Sequence, residues 1–151
     1  MVRTAVLWIH ILSGGLGMLV GLAAIWTTWR HRTHTASGEV YHWLVLLICV
    51  SAAGLAVLSW SSLWWFIPIA AVSYSFSFAA YRAAQRRRPG WLSKYLRGLG
   101  GSYIALTTAV LVVSVPDLPV TWFLPAVLGT PIVEWASRRP GLTSAPAAGG
   151  R

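Results

Sequence analysis

The sequence predicts an all-α fold, a polytopic bundle of about five transmembrane helices with the N-terminus outside and the C-terminus in the cytoplasm. Of the 151 residues, 56% are hydrophobic and only 10% are charged, whereas about 25% of an ordinary soluble domain is charged. The hydrophobic residues form long runs, and the basic residues lie mostly in the short connectors between them. Mean hydropathy is +0.64, which indicates several spans rather than a single anchor.

The first span, residues 5–29, contains no charged residue. At about 1.5 Å per residue its helix reaches roughly 37 Å and can cross a hydrocarbon core of about 30 Å. Four residues at spacings of four, three and four share one stripe of this helix: His10, Gly14, Gly17 and Gly21. Glycines let a neighbouring helix or a flat ligand approach the backbone closely. We therefore predict this stripe as a ligand-binding or helix-packing surface.

The second span, residues 41–60, is followed by Ser61 and Ser62, which leave room only for a tight turn. The third span, residues 63–82, must then return antiparallel beside the second. Pro68 lies in its first part and is expected to kink it, with neighbouring helices satisfying the freed backbone group.

The most basic stretch, residues 82–97, is interrupted by a Pro-Gly pair. From Trp91 onward, apolar residues alternate with Lys94 and Arg97 in a helical pattern. We expect a short helix here that lies in the membrane interface, with its basic side chains toward anionic headgroups.

Residues 102–115 form the predicted fourth span, and residues 120–137 form the fifth, which contains prolines and is expected to bend. One transmembrane domain therefore covers residues 1–139. The small and polar residues 140–151 are predicted to be a disordered cytoplasmic tail.

The basic residues predict the orientation of the chain. Five spans place eleven of the 12 lysines and arginines on the side of the C-terminus and leave only Arg3 opposite. Since basic connectors stay in the cytoplasm, we expect a multi-pass protein of the bacterial inner membrane. A net charge of +9 would suggest nucleic-acid binding in a soluble protein. Here orientation in the membrane accounts for the charge, so no nucleic-acid partner is expected.

His10 is a candidate ligand residue because a histidine inside a span is often functional. Beside the glycine stripe it could ligate a haem. A second axial histidine is not expected, since the other histidines lie near the inner ends of the spans, about 20 Å away by helix rise. The alternative is that His10 hydrogen-bonds a serine or a carbonyl group on a neighbouring helix.

A second candidate site, for a metal ion, lies at the cytoplasmic rim. It combines His34, Glu39 and His42, and imidazole and carboxylate groups suit zinc, iron or copper. The alternative is a solvated connector that contacts lipid headgroups.

The third span carries hydroxyl groups at Ser73, Tyr74 and Ser77, and these can line a polar cavity that binds a ligand or can bond between helices. Glu134, the one acidic residue inside a span, stands one helical turn before Arg138. An i,i+4 ion pair is expected there.

No motif of a hydrolase, a phosphate-binding loop or a zinc protease occurs in the sequence. Abundant small residues and little buried charge favour a non-enzymatic accessory, assembly or structural subunit of a membrane complex, packed against other subunits or itself. The alternative is a membrane redox protein that holds a haem, a metal or a quinone near His10.

Several short motifs follow one another along the chain. They are His10 with Gly14 and Gly21, an R-x-H-x-x-x-G-x-x-Y connector (Arg32, His34, Gly38, Tyr41), a basic loop with Trp91, Lys94 and Arg97, and S-Y-x-A-L-T from Ser102 to Thr107. In these motifs the chain resembles a family of small, uncharacterised bacterial predicted membrane proteins, known only as a domain of unknown function. The resemblance implies the same membrane architecture and no established activity.

Overall fold

The computed structural model describes residues 1–31 and 36–138, and this part of the chain contains helices and turns but no strand. The all-α prediction is thereby confirmed. The helices are α1 (Val2–His31), α2 (Ala36–Leu58), the short α3 (Trp60–Leu63), α4 (Phe66–Arg86), α5 (Trp91–Ser114) and α6 (Leu124–Ser137), with a 3₁₀ turn at Pro119–Trp122 before α6.

Three of these helices, α1, α2 and α5, are long and apolar enough to cross a membrane, which indicates a membrane protein. Helix α4 has 21 residues, but its serines and terminal arginines make it more polar. Helix α6 has 14 residues and extends about 21 Å, less than a hydrocarbon core of about 30 Å.

Helices α1 and α2 are antiparallel and are packed at two glycines of α1. A Cβ atom added to Gly17 would lie 2.8 Å from Ile48 Cδ1, and one added to Gly21 would lie 2.6 Å from Tyr41 Cε2. Non-bonded carbon atoms prefer separations of about 3.5–4.0 Å, so neither position has room for a side chain. The prediction that this stripe admits a close neighbouring helix is confirmed at these two positions.

Helices α4, α5 and α6 also pack through glycines. A Cβ atom on Gly98 would lie 2.7 Å from the carbonyl oxygen of Phe76 on α4. On the other side of α5, Gly100 meets Val133 of α6. Helix α5 is therefore held closely on two faces.

Helix α5 corrects the predicted elements. An interfacial helix followed by a separate fourth span was expected, but Trp91–Ser114 is one continuous helix. The glycines near Gly98 looked like a break because glycine costs about 1 kcal/mol relative to alanine in a helix. Instead they lie inside the helix, where α4 and α6 pack against them. The apolar residues of the expected interfacial helix are buried within the bundle: Trp91, Leu92, Tyr95, Leu96 and Leu99. Helix α4, which corresponds to the predicted third span, begins later than expected, at Phe66.

Three helices meet at a buried hydrogen bond. The hydroxyl groups of Tyr41 on α2 and Ser102 on α5 lie 3.0 Å apart, and Gly21 of α1 lies against the Tyr41 ring. Tyr41 and Ser102 are 1% and 0% exposed. This contact links α2 to α5 in the core of the bundle.

The distribution of polarity differs from that in a soluble bundle, because the surface is largely apolar and the core contains polar residues beside its apolar ones. Small polar residues are buried between the helices: Ser13, Thr28, His42, Ser51, Ser73, Ser77, Ser93, Ser102, Thr121 and Ser137. Large apolar residues such as Trp8, Leu19 and Phe123 are exposed, at 58%, 70% and 68%. An apolar surface this extensive is stable in lipid but not in water.

The antiparallel packing collects the basic residues at one end of the bundle, here called the basic end. There α1, α4 and α6 end, and α2 and α5 begin. Eight of the described lysines and arginines lie there: Arg30, Arg82, Arg86, Arg87, Arg88, Lys94, Arg97 and Arg138. The opposite end, where the chain begins, carries Arg3 and Asp117.

Candidate functional site

A cleft of about 460 Å³ opens between α1 and α5, with α2 and α4 as its other walls. Its size falls in the range of ligand pockets, about 300–1,000 Å³. Three of the residues predicted to bind a ligand line it, namely His10, Gly14 and Ser73. Its remaining walls are mainly aliphatic, as in Met18, Ile48 and Val110. We call it the lateral cleft.

The imidazole of His10 is fixed to α2 through one ring nitrogen. Nδ1 lies 2.9 Å from Ser51 Oγ and 3.2 Å from the carbonyl oxygen of Ile48. Ser51 Oγ donates its own proton to that same carbonyl oxygen. The Ile48 carbonyl oxygen can only accept a hydrogen bond, and Ser51 Oγ has already donated its proton to it. Nδ1 must therefore carry a proton and donate to both oxygens. The prediction of a hydrogen bond to a serine or a carbonyl on a neighbouring helix is confirmed.

The second ring nitrogen of His10 has a different environment. Nε2 forms no hydrogen bond with any residue in the described ranges. With the proton on Nδ1, neutral Nε2 presents a lone pair, which can accept a hydrogen bond or bind a metal. His10 can thus hydrogen-bond to α2 through Nδ1 and still bind a ligand in the lateral cleft through Nε2.

The predicted glycine stripe is divided between two roles. Gly17 and Gly21 are buried against α2. Gly14 and Gly15 have no atom within 4 Å of an added Cβ, and both line the lateral cleft. Bare backbone therefore faces the cleft.

The hydroxyl residues predicted on the third span do not share one cavity. Ser73 lines the lateral cleft, and its hydroxyl donates to the carbonyl oxygen of Ile69 at 2.8 Å. Ser77 and Tyr74 lie nearer the basic end, beside His42. Ser77 Oγ is 3.1 Å from His42 Nδ1, so its role is a bond between helices.

His42 is the centre of a separate cluster between α2 and α4. Its ring stacks on Tyr81, with centroids 4.4 Å apart and planes inclined by 9°, and Tyr74 follows at 5.8 Å. We did not predict this stacking from the sequence. The sequence does contain a signal for it. Residues 42 and 81 are equally distant from the connector at Ser61 and Ser62, so two antiparallel helices joined there bring these residues to the same level.

The predicted metal ligands are placed only in part. His34 lies outside the described residues. Glu39 is exposed, and His42 is buried in its aromatic cluster. Within residues 1–31 and 36–138, no group of three or more His, Cys, Asp or Glu residues is placed to hold a metal ion.

The helix register shortens the predicted distance between His10 and His42. His10 bonds Ile48 and Ser51, which follow His42 by six and nine residues. The two histidines are therefore about 9–14 Å apart along the helix axis rather than about 20 Å. This offset still prevents both from ligating one iron.

Glu134 forms the expected ion pair with Arg138, at 3.2 Å. It also contacts Arg97 of α5 at 3.0 Å, a partner that no local sequence pattern indicates. Arg97 Nε also donates a hydrogen bond to Ser137 Oγ. These contacts join α5 and α6 at the basic end.

Comparison with known proteins finds no family model that matches this chain, and no curated protein or solved structure matches it. The resemblance to the family of predicted bacterial membrane proteins stays a prediction. The architecture and the lateral cleft are therefore the basis for a functional proposal.

Proposed function

We propose that the chain is a five-span protein of a bacterial inner membrane, with the N-terminus outside and the C-terminus in the cytoplasm. The concentration of basic residues at one end supports this orientation. Helix α4 has about the length of a span, and α6 together with its 3₁₀ turn extends about 29 Å.

In that membrane we propose that the protein is a non-enzymatic accessory or assembly subunit, and that another subunit inserts a helix into the lateral cleft. The observation that carries this proposal is the bare backbone of Gly14 and Gly15 in the wall of an open apolar cleft. Membrane helices associate where small residues let backbones approach. Ala52, Ala70 and Ala109 continue that small-residue surface on the other three helices.

Photo-crosslinking tests this proposal in native membranes. A photoreactive residue at Met18, inside the lateral cleft, should yield one recurrent protein adduct. The same residue at Leu19, which is 70% exposed and not part of the cleft, should yield mainly lipid adducts. Identical adduct patterns at the two positions would contradict a subunit seated in the cleft.

A second candidate function rests on the lone pair of His10 Nε2. A membrane redox protein could bind a haem through this single nitrogen, or accept a hydrogen bond there from a quinol hydroxyl. A visible absorption spectrum and a quinone assay of the purified protein test this function. A Soret band or a quinone that is lost in His10→Ala, but kept in His42→Ala, would favour it over the subunit role.

A further inference from the structure

A groove at the basic end lies between α4 and α5 and has a volume of about 460 Å³. Five cationic side chains line it: Arg82, Arg86, Arg88, Lys94 and Arg97. The other lining residues are apolar or small: Phe76, Ala79, Ala83, Trp91 and Gly98. We call it the basic groove.

The positive charge of the basic groove is largely uncompensated by the protein. Among the residues that the structure describes, only Arg97 of the groove has an acidic partner, Glu134 at 3.0 Å, and that carboxylate is shared with Arg138. Across the described ranges, Arg86, Arg88 and Lys94 form no ion pair. The whole chain has only three acidic residues. Within the described residues no other carboxylate pairs with the groove, so an external anion can bind there.

An apolar furrow of about 450 Å³ continues from the basic groove between α4, α5 and α6. Phe76 lines both the groove and the furrow. Val72, Ile104 and Ala105 are typical of its walls. The two features meet at Phe76, and the furrow extends from there to Trp65 and Trp122 near the opposite end of the bundle.

We propose that the basic groove and the furrow together bind one anionic phospholipid. Its phosphate is held by Arg86, Arg88 and Lys94, and an acyl chain lies along the furrow past Phe76. Guanidinium groups bind phosphate oxygens through charge-assisted hydrogen bonds, and basic pockets between spans on the cytoplasmic side suit lipid headgroups. The inference rests on the membrane insertion proposed above, because only insertion brings the groove to headgroup depth.

Native mass spectrometry of the full chain in detergent tests the headgroup half of this site. Phosphatidylglycerol should remain bound as one molecule per chain, and phosphatidylcholine should bind more weakly. The double variant Arg88→Gln/Lys94→Gln should bind phosphatidylglycerol about 30-fold more weakly, since each basic residue near an anionic headgroup contributes about fivefold.

The control removes one charge from the same end but outside the groove, as Arg30→Gln, and is compared with the single groove variant Lys94→Gln. Arg30→Gln should retain the lipid. Equal weakening in these two single variants would show a general charge effect and overturn the site. Displacement of the lipid by inorganic phosphate would show a site for small anions and would also overturn the proposal.

A second pair of variants tests the furrow. Ala105→Phe fills the furrow without changing any charge and should weaken lipid retention. Ala71→Phe places the same ring on an exposed face of α4 outside the furrow and should not. Equal retention would overturn the acyl-chain position. Extraction of the parent protein by alkaline carbonate would instead refute membrane insertion, so the two failures are distinguishable.

Discussion

At the scale of single residues, the close packing of α1 against α2 depends on two glycines of α1. Gly17 and Gly21 leave the space that Ile48 and Tyr41 of α2 occupy. The glycine spacing predicted a close neighbour, because such spacing is typical of membrane helix pairs. It did not distinguish Gly14, which shares the stripe but faces the lateral cleft. That difference arises from the separation of α1 and α5 near this residue, which no local pattern encodes.

Gly17→Leu should lower the thermal stability of the purified protein in detergent. The added side chain overlaps Ile48 Cδ1, only 2.8 Å from the position of the new Cβ, and overpacking costs about 1–3 kcal/mol in soluble cores. Leu19→Ala, at an exposed position, should change the melting temperature much less. Equal melting temperatures for the Gly17→Leu variant and the parent protein would show that the α1–α2 contact is absent.

Tyr41→Phe should also destabilise the bundle, because it removes the buried hydrogen bond to Ser102. Interhelical hydrogen bonds in membranes contribute about 0.6 kcal/mol on average. Tyr103→Phe is the control, since this hydroxyl forms no hydrogen bond with the part of the chain that the structure describes. Chemical unfolding in mixed micelles measures both. A larger loss in Tyr103→Phe would contradict the assignment.

At the scale of the helices, α5 shows that residue periodicity alone cannot distinguish an interfacial helix from the first half of a packed helix. Trp91–Ser114 alternates apolar and basic residues in its first half and contains several glycines. Alone, that half is indistinguishable from an interfacial helix. Only the approach of α4 to Gly98 and of α6 to Gly100 turns it into the start of a packed span. By contrast, the short connector correctly predicted that α2 and α4 are antiparallel neighbours. The tight turn expected at Ser61 and Ser62 is wrong, because the short helix α3 lies between α2 and α4.

Gly98→Ala should destabilise the protein despite the better helix propensity of alanine. Its Cβ would lie 2.7 Å from the backbone carbonyl oxygen of Phe76, and a backbone atom cannot rotate away. Gly15→Ala, a helical glycine in open space, should be neutral or stabilising by up to about 1 kcal/mol. Melting temperatures of the two variants check this. A stable Gly98→Ala protein would indicate that α5 is broken at this point.

At the scale of the whole molecule, polarity and charge have separate roles. Buried serines and the Tyr41 hydroxyl connect helices whose outer faces are apolar, as expected in a lipid environment. The basic residues lie at one end and fix the expected orientation. The sequence alone predicted this separation of charge. It could not predict the lateral cleft or the basic groove, because both depend on how far neighbouring helices diverge.

The topology of the chain is the most direct test of a five-span membrane bundle. Dual reporters fused before residue 5 and after residue 139 measure the location of each terminus in living cells. The distribution of basic residues predicts a periplasmic N-terminus and a cytoplasmic C-terminus. Same-side readings would contradict the account, because they require an even number of spans and would remove α4 or α6 from the membrane.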